Sequence, residues 1–486
     1  MIVPSWVAVV AHILVTGALS LRILYRKLEV NTALAWIVML IAMPLAGPIL
    51  YLLFSDHSLG QRRLHLGQRI RSFYQKAYAV AGADGASLKA VPEPFAALAS
   101  SMTLESGFPA LARNSYAILT DAGEILEGMR KDIEAAQTSC RLEFYIVAAG
   151  GRVDPVLEAI LAAAKRGVTC EMMVDDFGSR PFFRTAWPKR LRAEGVTLIR
   201  SLPVGGLKAV SKRSDLRNHR KLLICDRAVA YTGSFNLVDP VLFKAGSNVG
   251  QWVDVMMRIE GEMVDALTCV FNADFLLEEK GADIDRAVLR PLPLDRRKGR
   301  RPSRRALMQL LPSGPEMAQS TIYAFIVAAI FNARRRLRIV TPYFIPDQAI
   351  TLALISAAKR GVDVQIIVPT RLDTRIGQYA SQASYDELLA AGVNIQRFRG
   401  GLLHAKVMLV DEDITIFGTV NLDPRSFYLN LELSLILYEA RIVSALDAIL
   451  DGYVERSDTI DPAVWAARSS TQRFLENLMR LAAPLL

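Results

Sequence analysis

The sequence predicts an α/β protein of two similar lobes, mixed sheets flanked by helices, preceded by an N-terminal transmembrane helical hairpin. Three observations carry this expectation. Beyond residue 110, apolar strand-like runs alternate with amphipathic helical stretches, which is the pattern of sheets layered with helices. The alternation occurs twice, with matching segments in the same order. Ahead of both copies stand two long uncharged runs.

The hairpin comes first in the chain. No charged residue occurs from Ile2 to Leu21, and after Arg22–Glu29 a second uncharged run extends from Val30 to Ser55. Each can cover the roughly 20 apolar residues that a membrane-crossing helix needs. A cleaved signal peptide is the other reading of the first run, but no basic stretch precedes it and a second hydrophobic run follows directly. Pro44 and Pro48 allow a kinked second helix or a shallow re-entrant hairpin instead of two full spans. Arg62, Arg63, Arg69, Arg71 and Lys76 follow the second run, outnumbering Arg22, Arg26 and Lys27 between the runs. That asymmetry places the main domain on the cytoplasmic side.

The duplication is legible in detail. AAAKRGVTCEMMVDD at Ala162–Asp176 resembles SAAKRGVDVQIIVPT at Ser356–Thr370, and RAEGVTLIR at Arg192–Arg200 resembles LAAGVNIQR at Leu389–Arg397. In each, a helix stops at a glycine and a buried strand begins. Arg296–Arg305 holds seven basic side chains with Gly and Pro, suiting a solvated linker or a segment attracted to anionic headgroups. The organisation is therefore a hairpin over 1–56, a connecting segment over 57–110, a first lobe over 111–300 and a second over 301–486.

A histidine-containing strand follows each repeat. NHRKLLICDRAVAYTGSFN, from Asn218 to Asn236, aligns without a gap with LHAKVMLVDEDITIFGTVN, from Leu403 to Asn421. His219 and Lys221, like His404 and Lys406, are two apart and share one face of a strand. Asp226 and Asp411 close the strands; Gly233–Ser234 and Gly418–Thr419 lead to Asn236 and Asn421. A lone histidine on an apolar strand is ordinarily a core residue. Here the same His, Lys, Asp, Gly, hydroxyl and Asn recur at identical offsets in halves that otherwise differ, and no other histidine lies beyond His65. One site shared between two lobes follows.

Composition narrows the setting. With 52% apolar residues in 486 the chain can fill a large core, and its formal charge of +10 suits an anionic partner, either nucleic acid or an acidic bilayer. Cys140, Cys170, Cys225 and Cys269 are scattered, which suggests neither zinc nor a disulfide framework. No P-loop or dinucleotide fingerprint is present.

The doubled motif resembles the phospholipase D superfamily, and the likeness extends over nearly the whole chain. It narrows to the bacterial cardiolipin synthases through the hairpin segment Thr32–Phe54, LEFYI at Leu142–Ile146, RNHRK at Arg217–Lys221, GQWVD at Gly250–Asp254, TPYFIPD at Thr341–Asp347, NLDPRSFYLNLE at Asn421–Glu432 and the terminal RLAAPLL. Arg227 and Glu412 depart from the glycine that often follows the motif aspartate. The resemblance implies phosphatidyl transfer between two phosphatidylglycerol molecules, giving cardiolipin and glycerol without metal or cofactor. His219 would attack phosphorus and His404 would protonate the leaving glycerol, the reverse assignment staying open. Lys221, Lys406, Asn236 and Asn421, with Ser234 and Thr419, would hold the phosphoryl oxygens. Asp254 and Glu432, at matching places downstream of the motifs, would orient the imidazoles, while Asp226 and Asp411 would fix loops and the facing lobe.

The expected setting is a bacterial inner membrane, multi-pass, with phosphatidylglycerol and other anionic lipids as partners, no nucleic acid, and a homo-oligomer left open. The same residues would serve a hydrolase or a transferase with another donor or acceptor. A nuclease lacks support because no interleaved aromatic and basic patch offers base stacking. A decayed membrane scaffold conflicts with two complete motifs.

Overall fold

The computed structural model describes residues 5–26, 30–54, 68–69, 72, 89–203, 216–278, 306–315 and 321–481. The N-terminal helices form one compact unit and the two lobes together form another.

In the first unit α1 (Ser5–Tyr25) is followed by α2 (Val30–Ala42) and α3 (Ala46–Phe54). The second hydrophobic run, expected as a span that Pro44 and Pro48 could kink or turn back, is broken at Met43–Leu45, where Pro44 cannot donate a backbone hydrogen bond. Across the break the Met43 N–H donates to the Met39 carbonyl at 3.0 Å and the Gly47 N–H to the Met43 carbonyl at 2.8 Å. Among the described residues no helix is long and apolar enough to cross a membrane. Ile23, Leu40 and Tyr51 pack these helices together, while Ile13, Leu14, Leu24, Val30 and Leu45 are exposed.

The strands of the first lobe are β1 (Leu111–Leu119), β2 (Ser139–Phe144), β3 (Thr169–Asp175), β4 (Thr197–Ser201), β5 (Lys221–Cys225), β6 (Val229–Gly233), β7 (Trp252–Val253) and β8 (Met256–Gly261). Those of the second are β9 (Ala306–Ser313), β10 (Arg336–Val340), β11 (Asp363–Pro369), β12 (Asn394–Phe398), β13 (Leu402–Leu403), β14 (Val407–Val410), β15 (Ile414–Gly418), β16 (Glu432–Leu437) and β17 (Ser457–Thr459). Among the described residues, fifteen of these join into one sheet, ordered β17-β12-β11-β10-β14-β15-β16-β9-β1-β8-β6-β5-β2-β3-β4. The order reads the same from both ends toward the β9–β1 junction, apart from the extra β17. Sequence duplication thus becomes a pseudo-twofold sheet, parallel from β10 to β12 and from β2 to β4, antiparallel between them, with β17 added antiparallel at one edge.

Local chemistry explains why the repeated segments fold alike. The helices Val153–Lys165 and Gln348–Lys359 both end at Lys-Arg-Gly, and Gly167 and Gly361 both have φ +87°, a left-handed exit open to glycine. The arginine of each triplet reaches back to the preceding helix. Arg166 donates to the carbonyls of Glu134 and Ala136, and Arg360 to those of Phe331 and Ala333, satisfying helix-end acceptors that otherwise lack partners.

The stretch expected only to connect does more. Its helix Glu93–Ser106 precedes the first lobe in sequence but buries Phe95, Ala99 and Met102 among Ile322, Phe325 and Ile326 of the second. Gln309 of β9 donates to the Ala99 and Phe108 carbonyls across that contact. The basic run at Arg296–Arg305, and with it the expected lobe boundary, lies outside the described residues.

Candidate active site

Both histidine segments stand at the sheet edge where the parallel strands β2, β3, β10 and β11 end. There the lobes exchange short extended segments. Leu402–Leu403, just before His404, pairs in parallel with Trp252–Val253 of the first lobe, and Asn218, just before His219, pairs with Leu431 of the second. The His219 N–H donates to the Leu431 carbonyl at 2.9 Å, and the His404 N–H to the Val253 carbonyl at 2.7 Å. Each motif is thereby fastened to the strand that carries the opposite lobe's carboxylate.

The consequence is a crossed pair of contacts. His219 Nδ1 lies 2.9 and 2.8 Å from the two oxygens of Glu432 in the second lobe. His404 Nδ1 lies 2.6 Å from Asp254 Oδ1 in the first. Each carboxylate therefore holds the histidine of the other half. With Nδ1 occupied, Nε2 is the ring atom left for chemistry, and it makes no hydrogen bond among the described residues.

Ser234 and Thr419, expected to touch substrate, are used inside the protein instead. The Ser234 hydroxyl donates to Asp254 Oδ1 at 2.6 Å and accepts from the Val255 N–H at 3.0 Å. The Thr419 hydroxyl donates to Glu432 Oε2 at 2.5 Å and accepts from the Leu433 N–H at 2.8 Å. The preceding glycines permit this approach. A Cβ on Gly233 would lie 2.4 Å from the Val255 carbonyl oxygen, and one on Gly418 would lie 2.2 Å from that of Leu433.

Asp226 and Asp411 lie at the far ends of β5 and β14, away from the histidines. Asp226 accepts from the backbone N–H groups of Gln137, Thr138 and Ser139, and Asp411 from those of Arg334, Arg335 and Arg336. Both adopt left-handed backbone conformations, φ 53° and 52°, which aspartate tolerates better than most residues. Their carboxylates pin the entry into β2 and β10 within their own lobes. Both fix loops of their own lobe, and none of these hydrogen bonds reaches the facing lobe.

The lysines are buried beside the histidines. Lys221 Nζ donates to the His219 carbonyl at 2.6 Å and Lys406 Nζ to the His404 carbonyl at 2.5 Å. Burial pulls the Lys221 ammonium down to about 8 despite the attraction of Glu432 and Asp254. Burial, with the charge of Lys221, holds Lys406 well below the usual lysine range. Burial likewise lowers both imidazoles to about 4. For Glu432 and Asp254 burial would favour the neutral acid, but the histidine and lysine contacts outweigh it and keep both carboxyls low. Lys221 acts on His404 and Lys406 on His219, so the groups of both lobes form one electrostatic unit.

Asn236 accepts from the Ile146 N–H at 3.2 Å, and its buried Nδ2 has no partner among the described residues. Asn421 leaves its buried Oδ1 without one. These opposed amides are the unspent polar atoms of the two turns. No cluster of metal-ligating side chains occurs among the described residues.

Several residues that sequence reasoning passed over complete the site. Tyr145 meets the His219 ring edge-on at 5.0 Å between centroids, and Trp252 lies 4.4 Å from the His404 ring. Asn430 donates to Glu432 Oε1 at 3.1 Å, while Arg220 donates to the Glu432 carbonyl at 3.0 Å and to that of Ser313 at 3.2 Å. Trp252 and Asn430 each precede a carboxylate by two, the spacing that puts side chains on one face of a strand. That signal was available. Arg220 has Ala405 as its counterpart, so no repetition marked it.

Two lobes crossing histidine and carboxylate over a pair of buried lysines define a phosphodiester-processing protein of duplicated type. The comparisons agree with that class. The family model for the cardiolipin synthase, phospholipase D-like domain matches residues 129–265 and 326–453. Cardiolipin synthase A of Edwardsiella ictaluri is 37% identical over 490 residues, covering 100% of this chain and 99% of that protein. Cardiolipin synthase A of Erwinia tasmaniensis is 37% identical over 492 residues with the same coverage. The chain belongs to the cardiolipin synthase family of proteins with phospholipase D-like domains. In fold it also matches the crystal structure of phosphatidylserine synthase from Haemophilus influenzae, with TM-score 0.57 at 13% identity over 80% of this chain and 98% of that one.

Proposed function

We propose that the protein makes cardiolipin from two phosphatidylglycerol molecules, releasing glycerol, with His219 as nucleophile and His404 as proton carrier. The crossed histidine–carboxylate pairs carry this reading. Glu432, held by Thr419, Asn430 and the Arg220 contact at its carbonyl, fixes the His219 ring so that Nε2 can attack phosphorus in line. The P–O bond to the first glycerol breaks as an N–P bond forms, and His404 Nε2 gives its proton to the departing oxygen. A phosphodiester anion entering beside His404 favours the imidazolium that this step needs. The second phosphatidylglycerol then offers a glycerol hydroxyl. His404 takes its proton, the oxygen attacks phosphorus, the N–P bond breaks, and both histidines are restored. Lys221, Lys406 and the Asn236 amide donate to the non-bridging oxygens as charge moves onto them.

The N-terminal helices, with their exposed apolar side chains, would seat the chain in the inner membrane, α2 and α3 as a shallow pair bent at Pro44. This supports transfer over hydrolysis, since acceptor lipid is kept dense and water scarce. Purified full-length protein in phosphatidylglycerol vesicles provides the test. Glycerol release matched mole for mole by cardiolipin is expected. Phosphatidic acid as the dominant product would assign a hydrolase instead.

A further inference from the structure

The chain's last described helix, Ser470–Arg480, has two unlike sides. Its inner side is spoken for: Glu476 is buried against Arg468, and Met479 packs on Ile345 and Ala380. Its outer side presents Phe474 and Leu478, with Leu481 just past the last turn, at 64, 43 and 77% exposure. The spacing i, i+4, i+7 puts the three in one row. Arg473 and Arg480 are exposed beside it, and the helix's one carboxylate is the buried Glu476.

This row is continuous with the rim of the active site. The helix packs along Arg375–Gln382, where Ile376 is 46% exposed. Three residues earlier, Asp373 accepts from the Tyr343 hydroxyl at 2.5 Å and pairs with Lys244 at 2.8 Å. Lys244 sits on the first-lobe loop whose Val241 and Leu242 are 47 and 58% exposed and whose Phe243 packs on Trp252. Trp252 in turn lies against His404. The segments carrying Tyr343, Asp373 and Lys244 leave β10, β11 and β6 at the strand ends where both histidines stand.

We propose that this face, from the Phe474–Leu478–Leu481 row to the Val241–Leu242 loop, docks the catalytic body onto the surface of a phospholipid bilayer. The proposal rests on the phospholipid reading of the site. His219 and His404 are only 7 and 3% exposed, so a lipid phosphodiester reaches them only if the bilayer meets the mouth of the site. An apolar row flanked by Arg473 and Arg480, with the exposed Asp386 nearby neutralised by its pair with Arg468, suits acyl chains beneath anionic headgroups. The site and its lipid supply then share one plane.

Two arms test this on full-length protein in phosphatidylglycerol vesicles. In the first, Phe474→Cys carries a nitroxide label, the described native cysteines being buried. The label should collide more with oxygen, which partitions into the membrane, than with a water-soluble nickel complex. A water-exposed label, or spin–spin coupling showing that a second copy covers the row, overturns the proposal. In the second arm, the triple variant F474S/L478S/L481S should lose on the order of tenfold in vesicle rate and keep its rate on short-chain, water-soluble phosphatidylglycerol. An unchanged vesicle rate overturns the proposal. If the variant loses both rates, label depth decides. If the unsubstituted protein turns over neither substrate, the phospholipid reading fails, while label depth still reports whether this face docks.

Discussion

The two histidines occupy equivalent places but not equivalent surroundings. His219 faces both oxygens of Glu432, which also receives Thr419 and Asn430 and is steadied through its carbonyl by Arg220. His404 meets one oxygen of Asp254, which receives Ser234 alone; its Oδ2 is buried without a partner among the described residues, and Trp252 lies against the ring. Duplication supplied the shared frame, and later divergence braced one imidazole more than the other. A nucleophile must be held at one angle, whereas a proton carrier must serve two oxygens in turn. The heavier bracing therefore falls where the covalent bond is proposed to form.

The largest effects should come from the histidines themselves. His219→Ala and His404→Ala are each expected to lower turnover by about 10³-fold or more, since residues acting as one unit fail together. They should part in a trapping experiment. With a donor whose leaving group needs no protonation, His404→Ala accumulates phosphatidyl-enzyme and His219→Ala does not. The opposite pattern would reverse the assignment.

Next come the carboxylates. Glu432→Gln and Asp254→Asn should each cost about 10²- to 10⁴-fold in kcat, as loss of ring orientation does in other histidine enzymes. Circular dichroism melts should show the larger loss of stability for Glu432→Gln, which disturbs more partners. Equal melting points would erase the proposed inequality of bracing.

The pH profile of kcat/KM probes what the lobes share. Lys221 carries its proton below about 8 and loses it above, so activity on an anionic phosphodiester should fall as pH rises through about 8. An unshifted lysine would hold to 10.5. On the acid side the nucleophile His219 is lowered from 6.5 to about 4, so it stays neutral and able to attack as pH falls through 6.5, while His404 gains its proton with the bound phosphodiester. The acid limb should accordingly lie below that value. Limbs at 6.5 and 10.5 would mean that burial does not govern the site.

The smallest catalytic effect belongs to the motif aspartates. Asp226→Ala and Asp411→Ala should each destabilise by roughly 1–3 kcal/mol through unpaired backbone amides, read as a lower denaturant midpoint. The turnover of correctly folded molecules should stay near that of the unsubstituted protein. A thousandfold fall in kcat at unchanged stability would return both to the chemistry.

Much of this was written locally. The duplication, the Lys-Arg-Gly helix stops and the shared face of His219 with Lys221 and of His404 with Lys406 follow from local sequence pattern, while Asp254 and Glu432 were marked as imidazole partners by the family resemblance. Proline at 44 marked the break that splits the second hydrophobic run, although its outcome as two short helices is a property of the folded chain. Ser234 and Thr419 show where local reading stops. A hydroxyl beside a catalytic turn can face substrate or protein, and only the approach of Gly233 and Gly418 to the next strand turned them inward.

What tertiary structure alone decided is the crossing. Strand periodicity places a carboxylate on a face but cannot say which lobe's histidine that face will meet, because the answer depends on how the lobes pack across the β9–β1 junction. The same holds for the helix Glu93–Ser106, buried in the lobe it does not adjoin in sequence, and for Arg220, whose acceptors lie 212 and 93 residues away. Residue identity and periodicity specified two equivalent half-sites; long-range packing joined them into one site and made the halves unequal.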